Sequence, residues 1–177
     1  MTMNTIIALD IGYRFTGVVV YDLDSKQIVA TDCIRVMKTT KASKALEHFD
    51  DCQTLAEHLD FVINKWNPEH IYAESPTGGG KSSNAVKSMA SSVAILASVT
   101  YSLGIPVTLV TPLQLKRLVR AKGAVDKHEI MELVERKLTT IGFKYPYQYK
   151  WAKDHTADAA AILLFLHKEN VLKLNID

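Results

Sequence analysis

The sequence predicts an α/β fold: a five-stranded mixed sheet, with a three-strand antiparallel meander plus two parallel strands, and helices on both faces. Three observations predict it. Three short apolar runs fall within the first forty residues, separated by turn signals. Beyond them, helical periodicity alternates with short apolar runs, the pattern of strand–helix–strand crossovers. Acids also sit at the borders of three apolar segments, at Asp10, Glu74 and Asp158.

The elements follow in order. Residues 5–10 form a buried apolar strand, and 15–21 form a second. Asp22-Leu23-Asp24-Ser25 is a turn signal, and 27–37 is the return strand. Residues 42–66 predict a long helix with Leu46, Phe49, Leu55, Leu59, Val62 and Ile63 on one face, ended by Asn67-Pro68. The fourth strand is 69–74. A polar loop over 75–83 leads into a helix over 84–103, closed by Gly104. The fifth strand is 107–110. Thr111-Pro112-Leu113-Gln114 is a capping box with proline at the first helical position. Asp126-Lys127-His128-Glu129 repeats that logic before a helix over 130–141. An aromatic and basic loop covers 144–153, and the last helix covers 154–168.

At 177 residues the chain predicts one domain over 1–177. A hydrophobic content of 47% excludes wholesale disorder. No continuous apolar run is long enough to span a bilayer, and no basic region precedes Ile6-Ile7 as in a signal peptide. A cytoplasmic protein without a membrane partner is expected. Cys33 and Cys52 form no C-x-x-C pair, so two reduced thiols are expected. The net charge of +2 does not announce nucleic-acid binding. Its distribution says more: Lys116, Arg117, Arg120, Lys122 and Lys127 form a basic stripe interrupted only by Asp126. From charge alone, an ordinary solvated helix face is the better reading.

A carboxylate at the end of a buried strand needs a compensating partner, either a salt bridge or a metal. Converging acids favour magnesium or manganese, which prefer oxygen ligands. Gly12 and Gly17 follow Asp10 and permit tight turns and close approach of a phosphate or metal. Ser75-Pro76-Thr77-Gly78-Gly79-Gly80-Lys81-Ser82 approaches a P-loop, but Ser75 stands where the motif needs glycine, and Pro76 lacks an N–H. A glycine loop that fits a nucleic-acid backbone through Gly78, Gly79, Gly80 and Lys81 is the better reading. The 84–103 helix is rich in alanine and serine, which lets its own sheet or a second subunit approach closely. On the final helix, Asp158 shares a face with both His155 and Asp154. Asp154 also reads as an N-cap and His155 as a surface residue.

In order, these segments resemble the RuvC family of Holliday junction resolvases, within the ribonuclease H-like superfamily. The resemblance runs from Ile6 to about His167. It rests on Ile6-Ile7-Ala8-Leu9-Asp10-Ile11-Gly12 with Thr16-Gly17, Ile71-Tyr72-Ala73-Glu74, Leu115-Lys116-Arg117 through Lys122-Gly123-Ala124-Val125-Asp126-Lys127, and His155-Thr156-Ala157-Asp158-Ala159-Ala160-Ala161. It implies a ribonuclease H-like fold and a homodimer that binds four-way junctions and other branched DNA. Paired nicking would leave 5′-phosphate and 3′-hydroxyl ends. By carry-over, Asp10, Glu74 and Asp158 hold two Mg²⁺ ions. His155 stands where many members have aspartate, and losing that negative charge favours Mn²⁺ as a substitute. Lys116 and Lys127 match basic positions beside the scissile phosphate, and Arg14, Arg117, Arg120 and Lys122 extend the DNA-binding set. The chain departs from the pattern at Thr77, where well-studied bacterial members carry an aromatic that stacks on junction bases. Members with looser specificity occur among bacteriophages, so a phage-infected host is as consistent as a bacterial cell. The aromatics Tyr145, Tyr147, Tyr149 and Trp151 supply stacking elsewhere or pack beneath the last helix. Three rival readings remain: a related nuclease on RNA or RNA–DNA hybrids, a non-catalytic junction-binding module, and an actin-like ATPase. The last needs two such lobes where this chain has room for one.

Overall fold

Alternation along the first strand sets the architecture. In β1 (Thr5–Asp10), Ile6 and Ala8 belong to one apolar core and Ile7 and Leu9 to another. Successive side chains point to opposite faces of a strand, so β1 is buried on both sides. The computed structural model describes residues 4–38, 40–75, 82–118 and 127–176. β1 pairs antiparallel with β2 (Phe15–Asp22), and β2 pairs antiparallel with β3 (Gln27–Arg35). On its other side β1 pairs in parallel with β4 (His70–Glu74), which pairs in parallel with β5 (Val107–Val110). The sheet order is β3-β2-β1-β4-β5, the predicted meander plus two parallel strands.

Helices cover both faces. α1 (Lys44–Trp66) lays Leu55, Leu59, Val62 and Ile63 on the core that holds Ile7, Leu9 and Ile71. Ser43 caps its start by accepting from the Leu46 N–H, and left-handed Asn67 ends it. α2 (Ser83–Leu103) packs along α1 and ends at left-handed Gly104. α3 (Pro112–Lys116) carries the predicted capping box, with Thr111 and Gln114 bonded reciprocally. α4 (Lys127–Leu138), a 3₁₀ turn at Thr139–Ile141 and α5 (Lys150–Lys168) close the opposite face. α5 is the main covering element there, burying Ala157, Ala159, Ala160, Ala161, Ile162 and Leu163 almost completely.

Several expectations are corrected. α5 begins at Lys150, a turn earlier than 154, so Asp154 lies inside the helix and Tyr149 takes the cap position. β3 ends at Arg35 rather than 37. Leu46 and Phe49 do not join the buried face of α1. They are 51% and 65% exposed, while Asp51 turns inward instead. A charge tolerates that position because Arg14 donates to both Asp51 oxygens. By length and composition α2 is long and apolar enough to cross a membrane, at mean hydropathy 1.2 with 22% of the window buried. Its serines and threonines break any continuous apolar run, but the average still reaches the range of a span. Cys33 and Cys52 are both free thiols, as expected.

Candidate active site

Strand parity puts two of the acids on one face. Asp10 follows Ile6 and Ala8 in alternation, and Glu74 follows His70 and Tyr72; Ile6, Ala8 and Tyr72 all pack on the α5 side. Leu9 pairs with Ala73 in the parallel ladder, so Asp10 and Glu74 end adjacent strands. α5 lies over that end and supplies His155 and Asp158, one turn apart.

Gly17 permits this approach. It pairs with Asp10 across β1 and β2, and a Cβ there would lie 2.0 Å from the His155 backbone oxygen. The predicted close approach is therefore real, but what approaches Gly17 is the backbone of α5. Gly12 serves the turn, since a Cβ there would meet the Phe15 carbonyl at 2.3 Å, and the Thr16 hydroxyl donates to the Gly12 carbonyl at 2.9 Å.

His155 Nδ1 lies 2.5 Å from Asp10 Oδ2. Lys127 Nζ, at the start of α4, lies 3.1 Å from Asp158 Oδ2; the lysine side chain is 60% exposed and the aspartate 18%. Burial, then the charges of Asp10 and Asp158, push the Glu74 carboxyl up to about 8, against the opposing pull of Lys127 and Lys116. Burial and the Asp10 charge likewise raise Asp158, with Lys127 opposing. For Lys127, burial favours the neutral amine, but Asp158 and the other acids outweigh it and raise its pKa. The site thus has an excess of negative charge, and Glu74 holds a proton near neutrality to relieve it.

That donor set fits a hard divalent cation in chemistry: three carboxylates with one neighbouring imidazole. A cation would replace the Glu74 proton and relieve the like-charge repulsion. Among the described residues, no three His, Cys, Asp or Glu side chains are already gathered as a ligand cluster. Asp158 is engaged by Lys127, which a cation would displace, while Asp10 is held by His155.

Of the predicted DNA-binding residues, Lys116 closes α3 exposed and lies within electrostatic range of Glu74. Arg117 is exposed at the C-cap of α3. Arg14 is one-third exposed, with its guanidinium engaged by Asp51. Gly78, Gly79, Gly80, Lys81, Arg120 and Lys122 lie outside the described residues. The charge of Asp154 acts on Lys127. Sequence reasoning missed Asp51, whose only signal is an acid within the apolar periodicity of α1. It also missed the stacking of Phe15 on His155, at 5.6 Å between ring centroids.

Comparison with known proteins agrees with this geometry. The family profile described as "Crossover junction endodeoxyribonuclease RuvC" matches residues 6–165. The crossover junction endodeoxyribonuclease RuvC of Neisseria gonorrhoeae is 26% identical over 140 residues, covering 77% of this chain and 74% of that protein. Among solved structures, Thermus thermophilus RuvC in complex with Holliday junction substrate superposes with a TM-score of 0.70. The identity is 18%, over 96% of this chain and 98% of that one. The yeast mitochondrial Holliday junction resolvase Ydc2 gives 0.61 at 16% identity, over 90% and 76%. The fold is ribonuclease H-like, and the family is divalent-metal dependent. With its strand-end acids, its capping final helix and a profile match over most of its length, the chain belongs to the RuvC family of crossover junction endodeoxyribonucleases, enzymes that cut junction DNA.

Proposed function

We propose that residues 1–177 act as one nuclease domain that resolves four-way DNA junctions, and other branched DNA, by metal-dependent paired nicking. The products would carry 5′-phosphate and 3′-hydroxyl ends. The observation that carries this reading is geometric: Asp10 and Glu74 end adjacent parallel strands, and α5 brings His155 and Asp158 over that end, with His155 bonded to Asp10. Asp10, Glu74 and Asp158 would hold two Mg²⁺ ions, with Mn²⁺ able to substitute and His155 completing the set. Bound there, the ions supply Lewis acidity at the scissile phosphate. His155 fixes the orientation of Asp10 through their hydrogen bond. Lys127 exchanges Asp158 for a phosphate oxygen, and Lys116 adds a second positive charge from α3. Arg14, Arg117, Arg120, Lys122 and residues 78–81 would contact the DNA backbone outside the reacting centre.

Two subunits would cut the two strands. The outward surface of α2 supports a homodimer. Val86 and Tyr101 are 50% and 89% exposed, and a cleft of about 350 Å³ lies between α2 and β5, lined by Val93, Ala97, Tyr101 and Leu109 among others. An exposed apolar patch of this kind marks an interaction surface, and a soluble partner copy fits a cytoplasmic DNA enzyme better than a bilayer does.

The test incubates the protein with a labelled four-way junction and a matched linear duplex, in Mg²⁺ and then Mn²⁺. Asp10→Asn is the control. Paired nicks near the branch point, lost with the duplex and reduced at least about a hundredfold in Asp10→Asn, are the expected result. Preferred cleavage of an RNA–DNA hybrid would redirect the substrate. Tight junction binding with no cleavage in either metal would leave a binding module.

A further inference from the structure

An aromatic array runs outward from the acidic site along the N-terminal end of α5. His155, bonded to Asp10, stacks on Phe15 at 5.6 Å and 23°. Phe15 packs on Trp151 at 4.8 Å, and Trp151 on Tyr149 at 5.7 Å with their planes only 9° apart. Tyr147 flanks Trp151 at 6.3 Å, its hydroxyl donating to Asp32 at 3.3 Å. Arg35, at the end of β3, holds its guanidinium 5.3 Å from the Trp151 ring centre and 6.0 Å from that of Phe15.

Core packing does not account for the outer rings. In the same segment Tyr145 does pack the core, edge-on against Phe143 at 78°, with its hydroxyl buried. Tyr147 and Tyr149 instead remain 44% and 64% exposed. A cleft of about 280 Å³ opens beside them, lined by Arg35, Phe61, Tyr147 and Trp151 among others, and Phe61 is itself 64% exposed. Exposed aromatic rings at the end of such a stack can extend it with a nucleobase, and the guanidinium over Trp151 suits both base stacking and the adjoining phosphate.

We infer that Tyr149 and Trp151, with Arg35 over the Trp151 ring, form a stacking platform for an unpaired nucleotide of the branched DNA. This rests on the junction-nuclease reading and adds the place where an unstacked base is received. Three observations select this occupant: the cation over Trp151, the exposure of Tyr147 and Tyr149, and the unbroken line of rings to Asp10. Stacking of this kind tolerates any base, so the platform would recognise branching rather than sequence.

The chain has two tryptophans, and Trp66 lies at the far end of α1, so Trp66→Phe leaves Trp151 as the sole indole reporter. In an Asp10→Asn background, its emission is followed while anisotropy of a labelled four-way junction reports binding. The expected result is quenching of Trp151 as the junction saturates, and little change with linear duplex. Tyr149→Ala, at an exposed position, should weaken junction binding roughly tenfold with no loss of thermal stability. 2-Aminopurine at the branch point should lose fluorescence with the Tyr149 protein and keep it with Tyr149→Ala. A junction that binds with unchanged Trp151 emission and equal affinity in Tyr149→Ala overturns the platform alone. A protein that binds neither junction nor single strand overturns both the platform and the junction reading.

Discussion

α5 and α2 are both long helices rich in small residues, yet they do opposite things. α5 buries ten residues between Ala152 and Leu166, and α2 buries only Ser92, Leu96 and Thr100. On α5, alanines bring a backbone into contact with a strand, and a glycine on that strand accepts it. That contact lets His155 and Asp158 reach the acids of two strands. On α2, Ala90, Ala94, Ala97 and Ser98 face outward, and only part of one stripe meets the core and α1. Composition alone does not distinguish the two. What does is the partner surface: a glycine with no Cβ opposite α5, and no equivalent covering element opposite α2 among the described residues.

The largest effect should come from closing the α5 contact. Gly17→Val puts side-chain atoms where the His155 carbonyl lies, and should cost about 3 kcal/mol or more in urea unfolding. Junction cleavage should fall with it, because His155 and Asp158 ride on that helix. Next, the same substitution on each helix should separate them. Ala160→Leu in the α5 core should cost about 1–3 kcal/mol, while Ala97→Leu on α2 should stay within about 0.5 kcal/mol. A charge at that same α2 position, Ala97→Glu, should shift sedimentation from dimer to monomer without lowering the monomer's melting temperature. Equal losses in both helices would remove the contrast.

The pH dependence follows from Glu74. Its carboxyl rises from 4.5 to about 8 on folding, so the folded chain holds the proton more tightly than the unfolded one. The resulting stability is complete below about pH 4.5 and is lost as pH climbs through about 8, by at most about 1.4 kcal/mol per pH unit. Asp158 shifts the same way. Melting temperature in chelator should therefore fall from pH 5 to pH 8.5, and saturating Mg²⁺ should flatten that fall and release protons on binding. A small effect on stability should come from Lys127→Met. Its pair with Asp158 is largely exposed on the lysine side, so unfolding should change by less than about 1 kcal/mol. Cleavage, in contrast, should drop at least about tenfold.

Strand alternation and capping signals are local, so the sequence shows them directly: β1, β5 and the Thr111–Gln114 box stand where they were read. Parity also makes the common face of Asp10 and Glu74 legible. The start of α5 is hidden in the sequence because Tyr145, Tyr147 and Tyr149 lead into it and Trp151, of weak helix preference, stands in its first turn. Asp51 was hidden because its partner, Arg14, lies 37 positions away. The role of Gly17 was hidden for the same reason. A glycine signals freedom or closeness, and only the packed structure names the neighbour as the backbone of His155.

The hydrogen bond between His155 and Asp10 joins residues 145 positions apart. During synthesis, the sheet that carries Asp10 and Glu74 leaves the ribosome well before the helix that carries His155 and Asp158. Until that helix docks against Gly17, Asp10 and Glu74 stand at the sheet end without the residues of α5 beside them, so the four side chains of the proposed site assemble only when the last helix closes the fold.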